Sequence, residues 1–426
     1  MAQVSIGKAP GNSAVLPFYA TGAVMFFVLC VLMVFSPQSF TQHYFTPHLL
    51  TMVHVAALGW GTMIIFGAAH QLLPVICEQD LYSEKMASFV WYTLTLGMIL
   101  LTTNFWNLTV GWVMIAGGSL IVISATLYLV NVLKSSRINK KYSIQKLFLA
   151  CSAIWLLFTV IVGLLLAINL KFPFFQQSHL EILKLHAHAG FGGWFLQLIT
   201  GVSTKLVPMF LLGKSSKDYL LKWAFIFQNV GLILFLADGY FIGISSRVLI
   251  YTAIVLIGII FWLMYLYNTF KNRLRKRVEL LMKHAFLSFL ALVLSILLLP
   301  AVYFSSGYRW TMLYGTLLFM GWITSIILGK TFKTLPFIIW NDHYKNLSGK
   351  VKVPLPKDLY SEQLTIWQFR IFIAAFLVFA LGIILQQVIV IRTGAILWVV
   401  VAVLYNINVF KLMCHKKIKY HDTRFY

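Results

Sequence analysis

The chain has 426 residues, of which 60% are hydrophobic and only 11% charged, against roughly 25% charged in ordinary globular domains. Its 34 Lys and Arg outnumber 11 Asp and Glu, an excess that in an apolar chain points first to positively charged loops on the cytoplasmic side of a membrane. This balance excludes a soluble enzyme of two or three domains, and the absence of a basic domain or stripe excludes a nucleic-acid binder.

Apolar runs longer than 18 residues predict membrane helices, and the strand alternation of a barrel is missing. Twelve spans follow along the chain, at 16–36, 48–75, 88–104, 108–133, 147–170, 185–211, 223–243, 248–270, 284–304, 310–331, 365–390 and 393–412. They predict an all-α membrane protein with a single transmembrane domain over 1–426. The first run, 22–35, leads into Ser36-Pro37 without a small-residue cleavage pattern, so it reads as a span and not as a signal peptide. Connecting pieces are short, except 331–365, which holds Pro336, Pro354 and Pro356. The alternate loops that begin outside contain Lys171, Lys184, Arg247, Arg309 and Arg392, and the other 29 of the 34 basic residues fall on the opposite side. Both termini are therefore expected in the cytoplasm, in an inner (cytoplasmic) membrane. Cys30, Cys77, Cys151 and Cys414 are scattered, with no CxxC, and imply neither a disulfide framework nor an iron–sulfur site.

A pattern recurs in three spans. The second reads His54-x4-Gly59-Trp60-x6-Gly67-x6-Pro74, and the sixth repeats every spacing at an offset of 134 as His188, Gly193-Trp194, Gly201 and Pro208. The tenth repeats it 128 residues further on as Gly321-Trp322, Gly329 and Pro336, with Thr316 in place of the histidine. These near-equal offsets predict three four-helix repeats, at approximately 1–133, 134–270 and 271–426, around a pseudo-threefold axis. The glycines of each copy are read as one helix face that permits close contact, and each proline as the end of its helix at the cytoplasmic surface.

Ionisable side chains inside a bilayer are costly, so each is a functional candidate. No carboxylate is expected at mid-membrane: Glu78, Asp80 and Glu84 fall in a loop, Glu181 at an outer edge and Asp238 near the outer end of the seventh span. Lys205 and Lys330 lie near cytoplasmic ends, where they can snorkel. His54 and His188 occupy equivalent positions near the outer face, where a neutral imidazole can serve a metal or a haem iron as a ligand. His186 lies two residues from His188, about 200° round the helix, so the two cannot face one iron. His48 is expected at the interface, His70 and His284 in structural roles near cytoplasmic ends, and His179, His343, His415 and His421 in solvated loops or the tail.

At these residues the chain resembles the catalytic subunit of haem-copper oxidases and nitric oxide reductases. The stretches His54…Gly59-Trp60-Gly61…Pro74 and His188…Gly193-Trp194…Lys205-Leu-Val-Pro208 are similar to the cbb3-type branch and to related haem-copper membrane proteins linked to nitric oxide resistance. The resemblance implies that His54 matches a ligand to a low-spin haem and His188 the sixth-span histidine that holds copper in the oxidases. The paired histidines expected after span seven are replaced by Leu236-Ala237-Asp238-Gly239-Tyr240, and the His-x-His of span ten by Tyr314 and Thr316. Without them neither the copper triad nor the usual high-spin haem can be assembled, and a proton-pumping oxidase is not expected.

Three readings follow. The first is a divergent haem protein that binds one b-type haem through His54 with His188 or His186, for electron transfer or for sensing of, or protection against, NO or O2. A c-type attachment is excluded by the missing CxxCH. The second is a cofactor-free transporter or assembly factor on the same scaffold, and the third is copper binding by His186, His188 and His54. Membrane lipid is the expected neighbour; further membrane subunits or a redox partner stay open, as does a role as an oxidoreductase component.

Overall fold

The computed structural model describes residues 9–137, 143–276, 279–305 and 307–417; His421 lies outside them. Among the described residues there is no β-strand, and twelve helices are long and apolar enough to cross a membrane. They are α1 (Asn12–Phe35), α2 (Pro47–Cys77), α3 (Glu84–Trp106), α4 (Trp112–Ser136), α5 (Ile144–Lys171) and α6 (His179–Leu211), then α7 (Tyr219–Phe241), α8 (Val248–Lys271), α9 (Leu280–Phe304), α10 (Tyr308–Tyr344), α11 (Glu362–Leu385) and α12 (Val388–Met413). The chain is a multi-pass helical membrane protein. Large apolar side chains such as Phe241, Leu297 and Leu377 on its outer faces are exposed, as a lipid-facing surface requires.

Burial sorts the spans. The membrane-crossing stretches of α2, α6 and α10 are 83%, 72% and 78% buried, whereas those of the other nine are 22–44% buried. The three helices that carry the Gly-Trp pattern therefore form the centre, and the rest form a shell. In the shell α3 packs on α4, α7 on α8 and α11 on α12, while α1 lies against α12 and α4 against α5.

Each central helix leaves α geometry at one point of the pattern. A wider π-helical stretch runs over Val55–Thr62 in α2, Ala189–Phe195 in α6 and Leu317–Ile323 in α10. It starts directly after His54, His188 and Thr316. This widening explains how the glycines work. Two residues eight apart on a straight α-helix point about 80° away from each other, yet both glycines of every copy meet the preceding span. A Cβ on Gly59 or Gly67 would meet Met25 or Phe18 of α1, one on Gly193 or Gly201 would meet Trp155 or Phe148 of α5, and one on Gly321 or Gly329 would meet Ala291 or His284 of α9. The extra residue taken up by the π turn brings the pair back onto one face.

Hydrogen bonds tie the central helices together. Trp60 Nε1 donates to Thr324 Oγ1 at 3.0 Å, and Trp194 Nε1 to Thr62 Oγ1 at 3.0 Å. Thr62, Leu196 and Thr324 follow the three tryptophans at the same interval. Leucine offers no acceptor at the third junction, and Trp322 Nε1 is buried without a partner among the described residues.

Several expected boundaries need correction. The prolines do not end their helices: Pro74, Pro208 and Pro336 all lie inside. Proline removes one N–H donor, but its carbonyl still accepts, and those of Pro74 and Pro208 take the N–H groups of Gln79 and Gly213 at 3.3 and 3.0 Å. Helices α2 and α6 end three residues beyond, at Cys77 and Leu211, each followed by a left-handed residue, Glu78 and Leu212. Helix α10 continues to Tyr344, so much of the polar segment from 331 is helical. Its buried Leu335, Ile338 and Ile339 still pack on the core, while its other side is polar enough to hide the continuation from a hydropathy window. Helix α6 starts at His179 rather than near 185.

Candidate functional site: a histidine-walled cavity

Where α2, α6 and α10 begin, they enclose a cavity of about 640 Å³ whose wall includes His54, His186, His188, Tyr314, Phe105 and Trp194. Small-molecule and cofactor sites occupy roughly 300–1,000 Å³, so the space suits a sizeable ligand.

All three histidines are held in the same way. His54 Nδ1 lies 2.7 Å from the Leu50 carbonyl, His188 Nδ1 2.8 Å from that of Lys184, and His186 Nδ1 2.9 Å from that of Thr159 on α5. A carbonyl oxygen only accepts, so each Nδ1 carries the hydrogen and each Nε2 keeps its lone pair. Metal-ligating histidines are fixed by this kind of outer hydrogen bond, which sets tautomer and ring orientation together.

The rings meet in two similar pairs. His54 and His186 have centroids 6.5 Å apart and planes inclined by 19°. His188 and Tyr314 are 6.0 Å apart and inclined by 22°, and the Tyr314 hydroxyl donates to His188 Nε2 at 3.3 Å. By sequence spacing His54 and His188 are equivalent, as are His186 and Tyr314. Each pair thus joins the pattern position of one central helix to the residue two places earlier on the next. The imidazole that faces His54 is His186, and His188 faces Tyr314 and Phe235.

The sequence left the partner of His54 open between His188 and His186 and did not mark Tyr314 as the partner of His188. Tyr314 appeared only as the occupant of a slot where the resembled family has histidine. No sequence signal marks Gly163 of α5, where a Cβ would stand 2.8 Å from His186 Cε1. The offsets contained the Tyr314 signal, since they align it with His186; the clearance at Gly163 is purely tertiary.

The other histidines lie elsewhere. His48 bonds Ser36 Oγ at 3.0 Å and packs on Trp106. His70 is buried among Phe18, Phe66 and Tyr128, and His284 lies against Ser325, Phe369 and Phe372. His179, His343 and His415, expected in solvated loops, are half-buried. His179 takes a hydrogen bond from the Asn169 amide, and His343 stacks on His415, whose Nε2 lies 2.8 Å from the Tyr344 hydroxyl. Burial, and then the neighbouring His343, hold the His415 imidazole below its usual range. Lys330 donates to Met282 Sδ at 3.2 Å, and Asp238 pairs with Arg247 at 3.2 Å.

Among the described residues no three His, Cys, Asp or Glu side chains gather as metal ligands. A porphyrin supplies four nitrogens of its own, so a haem iron needs only one or two imidazoles from the protein; a bare copper ion draws all its donors from side chains. The arrangement is thus a near-parallel pair of imidazoles in the wall of a cavity within a multi-pass helical membrane protein. The sequence matches no known family model and no curated protein.

Proposed function

We propose that the chain is a membrane haem protein in which one b-type haem lies between α2 and α6 with His54 and His186 on its two faces. The scaffold of this proposal is three four-helix units about a pseudo-threefold axis, a divergent relative of the haem-copper oxidases without copper-centre oxygen reduction. The observation that carries it is the His54–His186 pair, 6.5 Å between ring centres and 19° between planes. Two imidazoles bound to opposite faces of one iron by bonds of about 2 Å have ring centres about 6–6.5 Å apart.

When bound, the haem supplies a reversible one-electron couple. The protein's part is to position it: the Leu50 and Thr159 carbonyls hold both Nε2 lone pairs toward the cavity, and Phe105, with its ring 4.8 Å from His54, keeps that side apolar. With His54 on one side and His186 on the other, the two residues would hold the haem for electron transfer rather than for binding NO or O2.

The test is a reduced-minus-oxidised spectrum, with metal analysis, of protein purified from haem-replete cells. The expected result is a b-type band unmoved by CO, lost in His54→Ala and His186→Ala and kept in His188→Ala. Protein without haem absorption removes the proposal, and a CO-induced shift replaces it with an open-site, gas-binding reading.

A further inference from the structure

The wall of the large cavity contains one formal charge. Among the residues that line it, Lys184 is the only Lys, Arg, Asp or Glu. It is half-buried near the start of α6, one turn before His188. No carboxylate among the described residues forms an ion pair with it, although Glu181 lies one turn earlier on the same helix. The other basic residues at that end are placed differently. Lys171 lies over Trp112, Arg247 pairs with Asp238, Arg309 lies over Trp310, and Arg392 is exposed. Free hydrogen-bond donors accompany the Lys184 ammonium: Tyr44, Tyr308 and Thr311 line the same cavity, and none of their hydroxyls has an acceptor among the described residues.

We infer that Lys184 binds a carboxylate of the cavity's occupant, which on the haem proposal, on which this inference rests, is a propionate. Charge decides the sign of the partner. A cation in a largely apolar wall with no acidic neighbour stays costly until an anion from outside the chain meets it. Hydroxyl donors in the same wall favour an acceptor too, and a carboxylate is acceptor-only. Size decides the rest. A free inorganic anion would leave most of the 640 Å³ empty, whereas an apolar body with a carboxylate at its edge both fills the space and meets the charge. His186 and Lys184 point to opposite sides of α6, two residues apart. The cavity nevertheless runs round the start of that helix, since Leu183, Lys184, His186 and Ala187 all line it, so one occupant can reach both. Snorkelling to the interface is the ordinary alternative for a lysine near a helix end, and it entails no dependence on the occupant's charge.

Haem loss from the purified full-length protein to excess apomyoglobin tests this. Lys184→Met is expected to lose haem about tenfold faster than wild type, the effect of removing one charge-assisted bond, and Lys184→Arg, which keeps the charge, to stay close to wild type. The same proteins, emptied and refilled with iron protoporphyrin dimethyl ester, should release it at equal rates, because the ester offers no charge for Lys184 to hold. Lys184→Gln replaces the methionine variant should that one fail to fold. Equal haem loss from wild type and the folded neutral variants, or a difference that persists with the ester, overturns the inference and leaves the haem proposal standing. A wild-type protein that takes up neither porphyrin removes both.

Discussion

His186 owes its place to a residue that has no side chain. A Cβ on Gly163 would approach His186 Cε1 to 2.8 Å and Nδ1 to 3.4 Å, so any larger residue there must push the ring away from the Thr159 carbonyl. Gly163→Val is expected to lower haem content severalfold while leaving the fold intact. Gly111→Ala, whose Cβ would meet nothing within 4 Å, is the control and is expected to bind normally. Pyridine haemochrome content per protein measures both, and equal content would show that the His186 position does not govern binding. At this scale His54, His186 and His188 were legible as candidates because ionisable groups are scarce in apolar spans. Which of them meet was not legible, because ring-to-ring distance depends on how far neighbouring helices are rotated.

Among the elements, the central helices share one device with one exception. Two of the three tryptophans donate to a threonine on a neighbouring central helix, and the third faces a leucine position. A buried hydrogen bond contributes about 0.5–1.5 kcal/mol net, while replacing the buried Leu196 with a smaller, polar residue costs about 1–3 kcal/mol. Leu196→Thr is therefore expected to destabilise on balance. It should cost about 1 kcal/mol less in the wild-type background than in Trp322→Phe, because only the former can form the third bond. A double-mutant cycle by denaturant titration in bicelles reads that coupling, and additive effects would show that no bond forms. The helix C-termini offer a second case. Glu78 has φ 55° and Leu212 φ 47°, a left-handed conformation that costs a non-glycine residue roughly 1 kcal/mol. Leu212→Gly is expected to recover most of that in the same titration, and unchanged or lower stability would refute the assignment of strain. The twelve helices and the Gly-Trp pattern were legible from apolar run length and spacing. The π turns were not, since nothing local in Val55–Thr62 distinguishes a wider turn from an ordinary one.

For the whole molecule, charge provides the testable consequence. Only five of 34 basic residues were assigned to the loops at the end where α2, α6 and α10 begin, so that end is expected to face away from the cytoplasm. The histidine-walled cavity then opens near the external face. In spheroplasts, Arg309→Cys should react with a membrane-impermeant maleimide and Lys345→Cys should not until the cells are lysed; the reverse pattern would invert the protein and place the cavity on the cytoplasmic side. The shell helices carry the complementary lesson. Helices α8 and α9 were as plain in the sequence as any others, yet how little they touch became visible only once all twelve were packed.

Read alone, the amino-acid order determined the number of spans, the recurrence of their pattern and the scarcity of buried charge. These follow from hydrocarbon thickness and the cost of moving polar groups into it, both of which act on short stretches of chain. Packing alone decided that His186 and not His188 faces His54, that Tyr314 closes the second pair and that Gly163 leaves the room. Such distances depend on helix rotation and on π turns that re-aim a face, and both are settled by contacts between different helices.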